Sequence, residues 1–84
     1  MEKKVKVNFS HNQDPNKMAR IVQTANEFES TLYIKLDHGR RVNVKSIMGM
    51  MSFVAEDGQE VTIQSSGGDE AQAAEAIVRC LSGE

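Results

Sequence analysis

"VNVKSIMGMMSF" occupies residues 42–53, and the spacing of its apolar residues changes at Ser46. Val42 and Val44 alternate with polar neighbours, the mark of a strand with one wet face. After Ser46, the apolar residues Ile47, Met48, Met50, Met51 and Phe53 crowd into barely two turns of chain. Ser46 suits the N-cap of a short helix, its hydroxyl accepting a backbone N–H one turn on. At about 100° per residue, Met50, Phe53 and Val54 share one arc, and Ile47, Met48 and Met51 share another. A helix lying on a sheet buries one arc. Either the other is an exposed apolar surface, which adaptable methionines suit, or the chain bends and all of them are core.

Upstream, "KKVKVNF" (residues 3–9) alternates strictly, with Val5, Val7 and Phe9 on one face. A polar loop, "SHNQDP", leads to Asp14 as N-cap and Pro15 at the first helical position. Met18, Ile21, Val22, Ala25 and Phe28 then follow helical spacing, predicting a helix that ends near Ser30. Leu32, Ile34 and Leu36 return to alternation, and "DHGR" turns the chain with Gly39 at a positive φ. Downstream, "AEDGQ" is a turn and "EVTIQSS" a strand burying Val61 and Ile63. "DEAQAAEAIVRCL" closes as a helix, with Ala74, Ile77, Val78 and Leu81 on one stripe and acids in its first turn. The order is βαββαβα. Each strand has a single apolar face, so the expectation is an α+β fold: one four-stranded antiparallel sheet with three helices on one face, an open-faced β-sandwich.

The 84 residues suffice for one domain, 1–84, with a modest core. A net charge of −2 gives no bulk attraction to nucleic acid or an anionic membrane, so neither is expected as a direct partner. No stretch has the apolar length of a membrane span, and the charged start "MEKKVKVNF" lacks the apolar run of a secretion signal. The lone Cys80 excludes an internal disulfide and fits a reducing cytoplasm; on the flank of its helix stripe it is read as a half-buried, inert thiol. There are no paired carboxylates, metal-ligand spacing, Gly-rich phosphate loop or nucleophile–base pair, so an enzyme, a metal or a cofactor is not expected.

"VNVKSIMGMMS", with "VQTANEF" before it and "GQEVTIQSSGGDEAQAAEAI" after it, resembles the HPr phosphocarriers of the bacterial sugar phosphotransferase system over essentially the whole chain. The resemblance implies the fold just described. It puts the family's regulatory serine at Ser46 and its partner-docking positions at Ile47, Met48 and Met51. The family carries phosphate on a histidine within Gly-(Leu/Ile)-His-Ala-Arg-Pro-Ala. The matching stretch here is "NQDPNKM": Asp14 replaces the histidine, Asn16 the arginine and Lys17 the proline.

This pattern is similar to the Crh-like branch, which lacks the histidine and keeps the serine. By that likeness the chain is a non-catalytic regulator in carbon catabolite control. An HPr-type serine kinase/phosphorylase would modify Ser46, and a catabolite-control transcription regulator or phosphotransferase-system proteins would bind it. Crh-like chains keep the arginine and proline, which this one does not. Lys17 or Arg20 would stand in only partly for the arginine, and Lys45 and Lys17 would screen the phosphate. Phosphorylation at an N-cap adds roughly −1.5 to −2 charges where helix N–H groups point, acting on the surface without melting the helix. The alternatives are a phosphocarrier using Asp14 or His11, and an unmodified adapter. Asp14 lacks the acids that surround acyl-phosphate sites and reads first as a cap; His11 reads as a solvated loop residue. A nucleic-acid-binding sheet is a further rival, since Lys4, Lys6, Lys35 and Arg41 share the predicted open face with Tyr33.

Overall fold

A computed structural model describes residues 1–7, 15–36, 39–51 and 58–82. Along it run β1 (Glu2–Lys6), α1 (Pro15–Ala25), β2 (Thr31–Lys35), β3 (Arg41–Asn43), α2 (Ile47–Met51), β4 (Glu60–Ser66) and α3 (Glu70–Ser82). The strands form one antiparallel sheet in the order β1-β4-β2-β3, so the last strand in sequence fills the gap beside the first.

Alternation places the core. Val5 pairs with Val61, and Ile34 sits between Ile63 and Val42 in register; all are buried. Onto this face pack Met18, Ile21 and Ala25 of α1, Met50 of α2, and Ala73, Ala74, Ile77 and Leu81 of α3. Val22, Phe28, Val78 and Cys80 border that cluster, partly buried. This is the fold the apolar spacing predicts, with three helices covering one face and the other open. The turn at Gly39 has the positive φ expected of it, 86°. Among the described residues no helix is long and apolar enough to cross a membrane.

Helix α1 ends at Ala25, five residues short of the expected Ser30. Its exit tightens into i→i+3 bonds, Glu27 N–H to Thr24 O (3.1 Å) and Phe28 N–H to Ala25 O (3.3 Å). The next two N–H groups leave the helix ladder altogether. Glu29 N and Ser30 N donate to the carboxylate of Asp69, each at 3.0 Å. A long-range acceptor thus overrides local periodicity, which has no means of registering it.

Other boundaries shift less. Strand β1 begins at Glu2, and Val7 prolongs its pairing through Val7 N–H to Gln59 O (3.0 Å) and Gly58 N–H to Val7 O (2.8 Å). Helix α3 starts at Glu70, with the Asp69 carbonyl accepting Ala73 N–H at 2.9 Å. Phe9, His11, Asp14, Phe53 and Val54, to which the sequence assigns roles, lie outside the described residues.

Candidate functional site

Asn43 sets up the site. Its Oδ1 accepts Lys45 N–H at 2.9 Å, an Asx-turn that stops β3. Its carbonyl accepts Ser46 N–H at 3.1 Å and so aims the chain into α2. The Ser46 carbonyl takes Met50 N–H at 2.9 Å, and the Ser46 hydroxyl accepts Gly49 N–H at 3.1 Å, the expected N-cap geometry. The approach at Gly49 is close: a Cβ there would lie 3.2 Å from Asn43 O, a tight contact, and 3.5 Å from Ser46 Oγ, an ordinary one.

The two arcs of α2 separate cleanly where they are described. Met50 is fully buried, while Ile47, Met48 and Met51 are 45%, 81% and 56% exposed. Only one other large apolar residue among those described is exposed, Met1 at the far end of the chain. Apolar exposure is therefore concentrated on one turn of helix, directly beside a half-buried serine hydroxyl.

The segment before α2 is tied to the end of α1. Lys45 Nζ donates to Phe28 O at 2.7 Å, in the turn that follows α1. Asn26 Nδ2 donates to Val22 O (2.9 Å) and to Lys45 O (3.3 Å), bridging the two segments. Lys45 thus has its ammonium engaged as a staple. Asn26 and Asn43 were not singled out from sequence as site residues; the Asn-x-Lys spacing at 43–45 is the signal that would have revealed the Asx-turn.

Lys17 and Arg20 come together elsewhere on α1. With Ile21 they border a small cavity of about 60 Å³ closed by Cys80 of α3. Burial pushes the Cys80 thiol pKa up, offset in part by a hydrogen bond with Thr24 and the charges of Lys17 and Arg20. That direction fits an inert thiol. Asn16 is exposed at the start of α1. The structure thus gathers Ser46, Ile47, Met48 and Met51 into one surface, with the Lys45 ammonium bonded to Phe28 O and Lys17 and Arg20 lining a separate cavity.

Comparison with known proteins agrees with this architecture. The family model described as the PTS HPr component phosphorylation site matches residues 1–82. The HPr-like protein Crh of Halalkalibacterium halodurans is 40% identical over 78 residues, 93% of this chain and 92% of its own. Its counterpart from Bacillus subtilis is 39% identical over 77 residues, 92% of this chain and 89% of its own. A crystal structure of the phosphocarrier protein HPr from Bacillus anthracis superposes with a TM-score of 0.86 at 36% identity, covering 96% of this chain and 95% of that one. Likeness of this extent, in sequence and in strand order alike, makes the chain a member of the HPr family.

Proposed function

We propose that this chain is a non-catalytic regulator of the Crh type, working as a single unit over residues 1–84 and switched by phosphorylation of Ser46. In the step, Ser46 Oγ attacks the γ-phosphorus of ATP held by an HPr-type serine kinase. ADP leaves, and the hydroxyl proton passes to a base of the kinase. The product carries roughly −1.5 to −2 charges beside Met48 and Met51. Gly49 N–H, already bonded to Ser46 Oγ, lies next to the new phosphate. The outcome is a composite surface: an apolar patch edged by a dianion, which recruits a partner with an apolar groove flanked by basic side chains and repels an acidic one.

The observation that carries this reading is a part-buried cap hydroxyl abutting the turn that holds Ile47, Met48 and Met51 in solvent. The likeness to Crh, the Bacillus subtilis catabolite repression HPr, supports a partner of the catabolite-control class, with Lys17 or Arg20 standing in only partly for the motif arginine that Asn16 replaces. The replacement of that motif by Asp14, Asn16 and Lys17 supports a role in regulation over one in phosphoryl relay.

The test is incubation with an HPr-type kinase and ATP, followed by mass spectrometry with site localisation. Label on Ser46, absent in Ser46→Ala, is expected. Label acquired from phosphoenolpyruvate and the general phosphotransferase enzyme on Asp14 or His11 would replace this reading with a carrier role. Binding of the modified chain to a catabolite-control regulator should weaken at least about tenfold in Met48→Ala, as expected for a central anchor.

A further inference from the structure

The sheet face turned away from the helices carries its side chains in registered rows. Lys4 and Lys35 each pair with Thr62, and Lys35 pairs directly with Arg41, so three cations cross the sheet in one row. With strands about 4.8 Å apart, that row spans about 14 Å. Like charges directly opposite one another repel, and the chain as a whole has a net charge of −2. The row is therefore a local concentration of charge that folding by itself disfavours. Lys4 Nζ lies 4.0 Å from Glu60 Oε1, while Lys35 and Arg41 have no carboxylate partner among the described residues.

The adjoining row holds the complementary groups. Glu2, Gln64, Tyr33 and Asn43 follow one another across the sheet. The Arg41 guanidinium lies over the Tyr33 ring, 4.7 Å from its centroid, a cation–π contact. Beside it opens a cleft of about 270 Å³ bordered by Glu2, Thr31, Tyr33, Arg41, Gln64 and Ser66. Gln64 Nε2 donates to Glu2 Oε2 at 2.7 Å, but its Oε1 is covered and accepts nothing among the described residues.

We propose that this cleft binds a free nucleoside monophosphate. Its phosphate lies on Lys35 and Arg41, and its base stacks on the guanidinium plane over Tyr33. A base N–H satisfies Gln64 Oε1 once the carboxamide turns into the cleft. At about 270 Å³ the cleft is larger than a bare inorganic anion needs. The chain's only tyrosine, Tyr33, is the single aromatic side chain on this face among the described residues. One stacking position therefore suits one base and not a run of them. The site lies on the opposite side of the sheet from Ser46 and does not depend on its modification.

The experiment is titration of the full chain with the common ribonucleoside 5′-monophosphates, with adenosine, with inorganic phosphate and with an oligonucleotide, followed by NMR. At least one monophosphate is expected to shift Thr31, Tyr33, Arg41 and Gln64 signals while leaving Ser46–Met51 unmoved. Adenosine and phosphate should each bind at least about tenfold more weakly, since each supplies only part of the contacts. Arg41→Gln, and independently Lys35→Gln, should weaken the nucleotide about tenfold at an unchanged thermal midpoint. Three results overturn the proposal: no monophosphate perturbs the open face; phosphate binds as well as the nucleotide; or the oligonucleotide binds more tightly per nucleotide, which makes the face a strand-binding surface instead.

Discussion

Ser30 and Ser46 are the same residue in opposite circumstances. Each sits where the chain passes between regular elements, and each has its hydroxyl bonded near a helix start. Ser30 is 1% exposed, its hydroxyl and N–H both bound by Asp69 from just before α3, 39 residues away in sequence. Gly67 presses against it so closely that a Cβ at 67 would lie 2.6 Å from Ser30 Oγ and 2.8 Å from its Cα. Ser46 instead accepts a bond from its own helix and is only part-buried, beside an apolar turn left exposed among the described residues. The first hydroxyl ties two distant segments together; the second caps its own short helix. Hydrogen-bonding capacity is equal in the two serines, and the difference is enclosure.

The contrast can be broken most severely at Gly67. Gly67→Ala combines a φ of 151° with the collision at Ser30 and should cost about 3 kcal/mol or more, read as a drop in the urea midpoint at constant m-value. Ser30→Ala removes one sealed hydroxyl and leaves Asp69 with fewer donors, a loss of about 1–3 kcal/mol in the same measurement. Ser46→Ala should cost only about 1 kcal/mol, the ordinary value of a cap, while abolishing phosphorylation. Met48→Ala should leave stability within about 0.5 kcal/mol and still weaken partner binding. If Met48→Ala destabilised the fold as much as Ser30→Ala, the exposed turn would be structural and the contrast would vanish.

Acid sharpens the same comparison. Hydrogen bonds from Ser30 Oγ and from the Glu29 and Ser30 N–H groups hold the Asp69 carboxyl below its ordinary value of 3.8. The Met1 ammonium, 2.9 Å from Glu70 Oε2, lowers Glu70 from 4.5. A carboxyl whose pKa is lower folded than unfolded adds stability at neutral pH. That contribution shrinks once the unfolded chain begins to protonate and is gone below the folded pKa. Denaturant midpoints of the native chain should therefore fall as pH drops below about 4.5, and those of Asp69→Asn should fall less steeply. Ser46→Ala should leave the acid slope unchanged.

The alternation of Val5 and Val7, of Leu32, Ile34 and Leu36, and of Val61 and Ile63 made the strands legible, since a sheet with one buried face imposes a period of two. The helical stripes of α1 and α3 were equally plain, as was the serine cap ahead of α2. The end of α1 was not, because Asp69 claims two N–H groups that periodicity assigns to the helix. Nor was the commitment of Lys45 to Phe28 O, since no local pattern links residues seventeen apart.

Residue order by itself determined which side chains are apolar at which spacing, and hence the elements, the buried face of each strand and the short helix headed by Ser46. Tertiary structure alone decided that Met50 goes under while Ile47, Met48 and Met51 stay out, and that Ser30 is sealed while Ser46 is only part-buried. The reason is physical: periodicity is a property of neighbours along the chain. Enclosure depends on which distant surface arrives to displace the water, and that is settled only when sheet and helices pack.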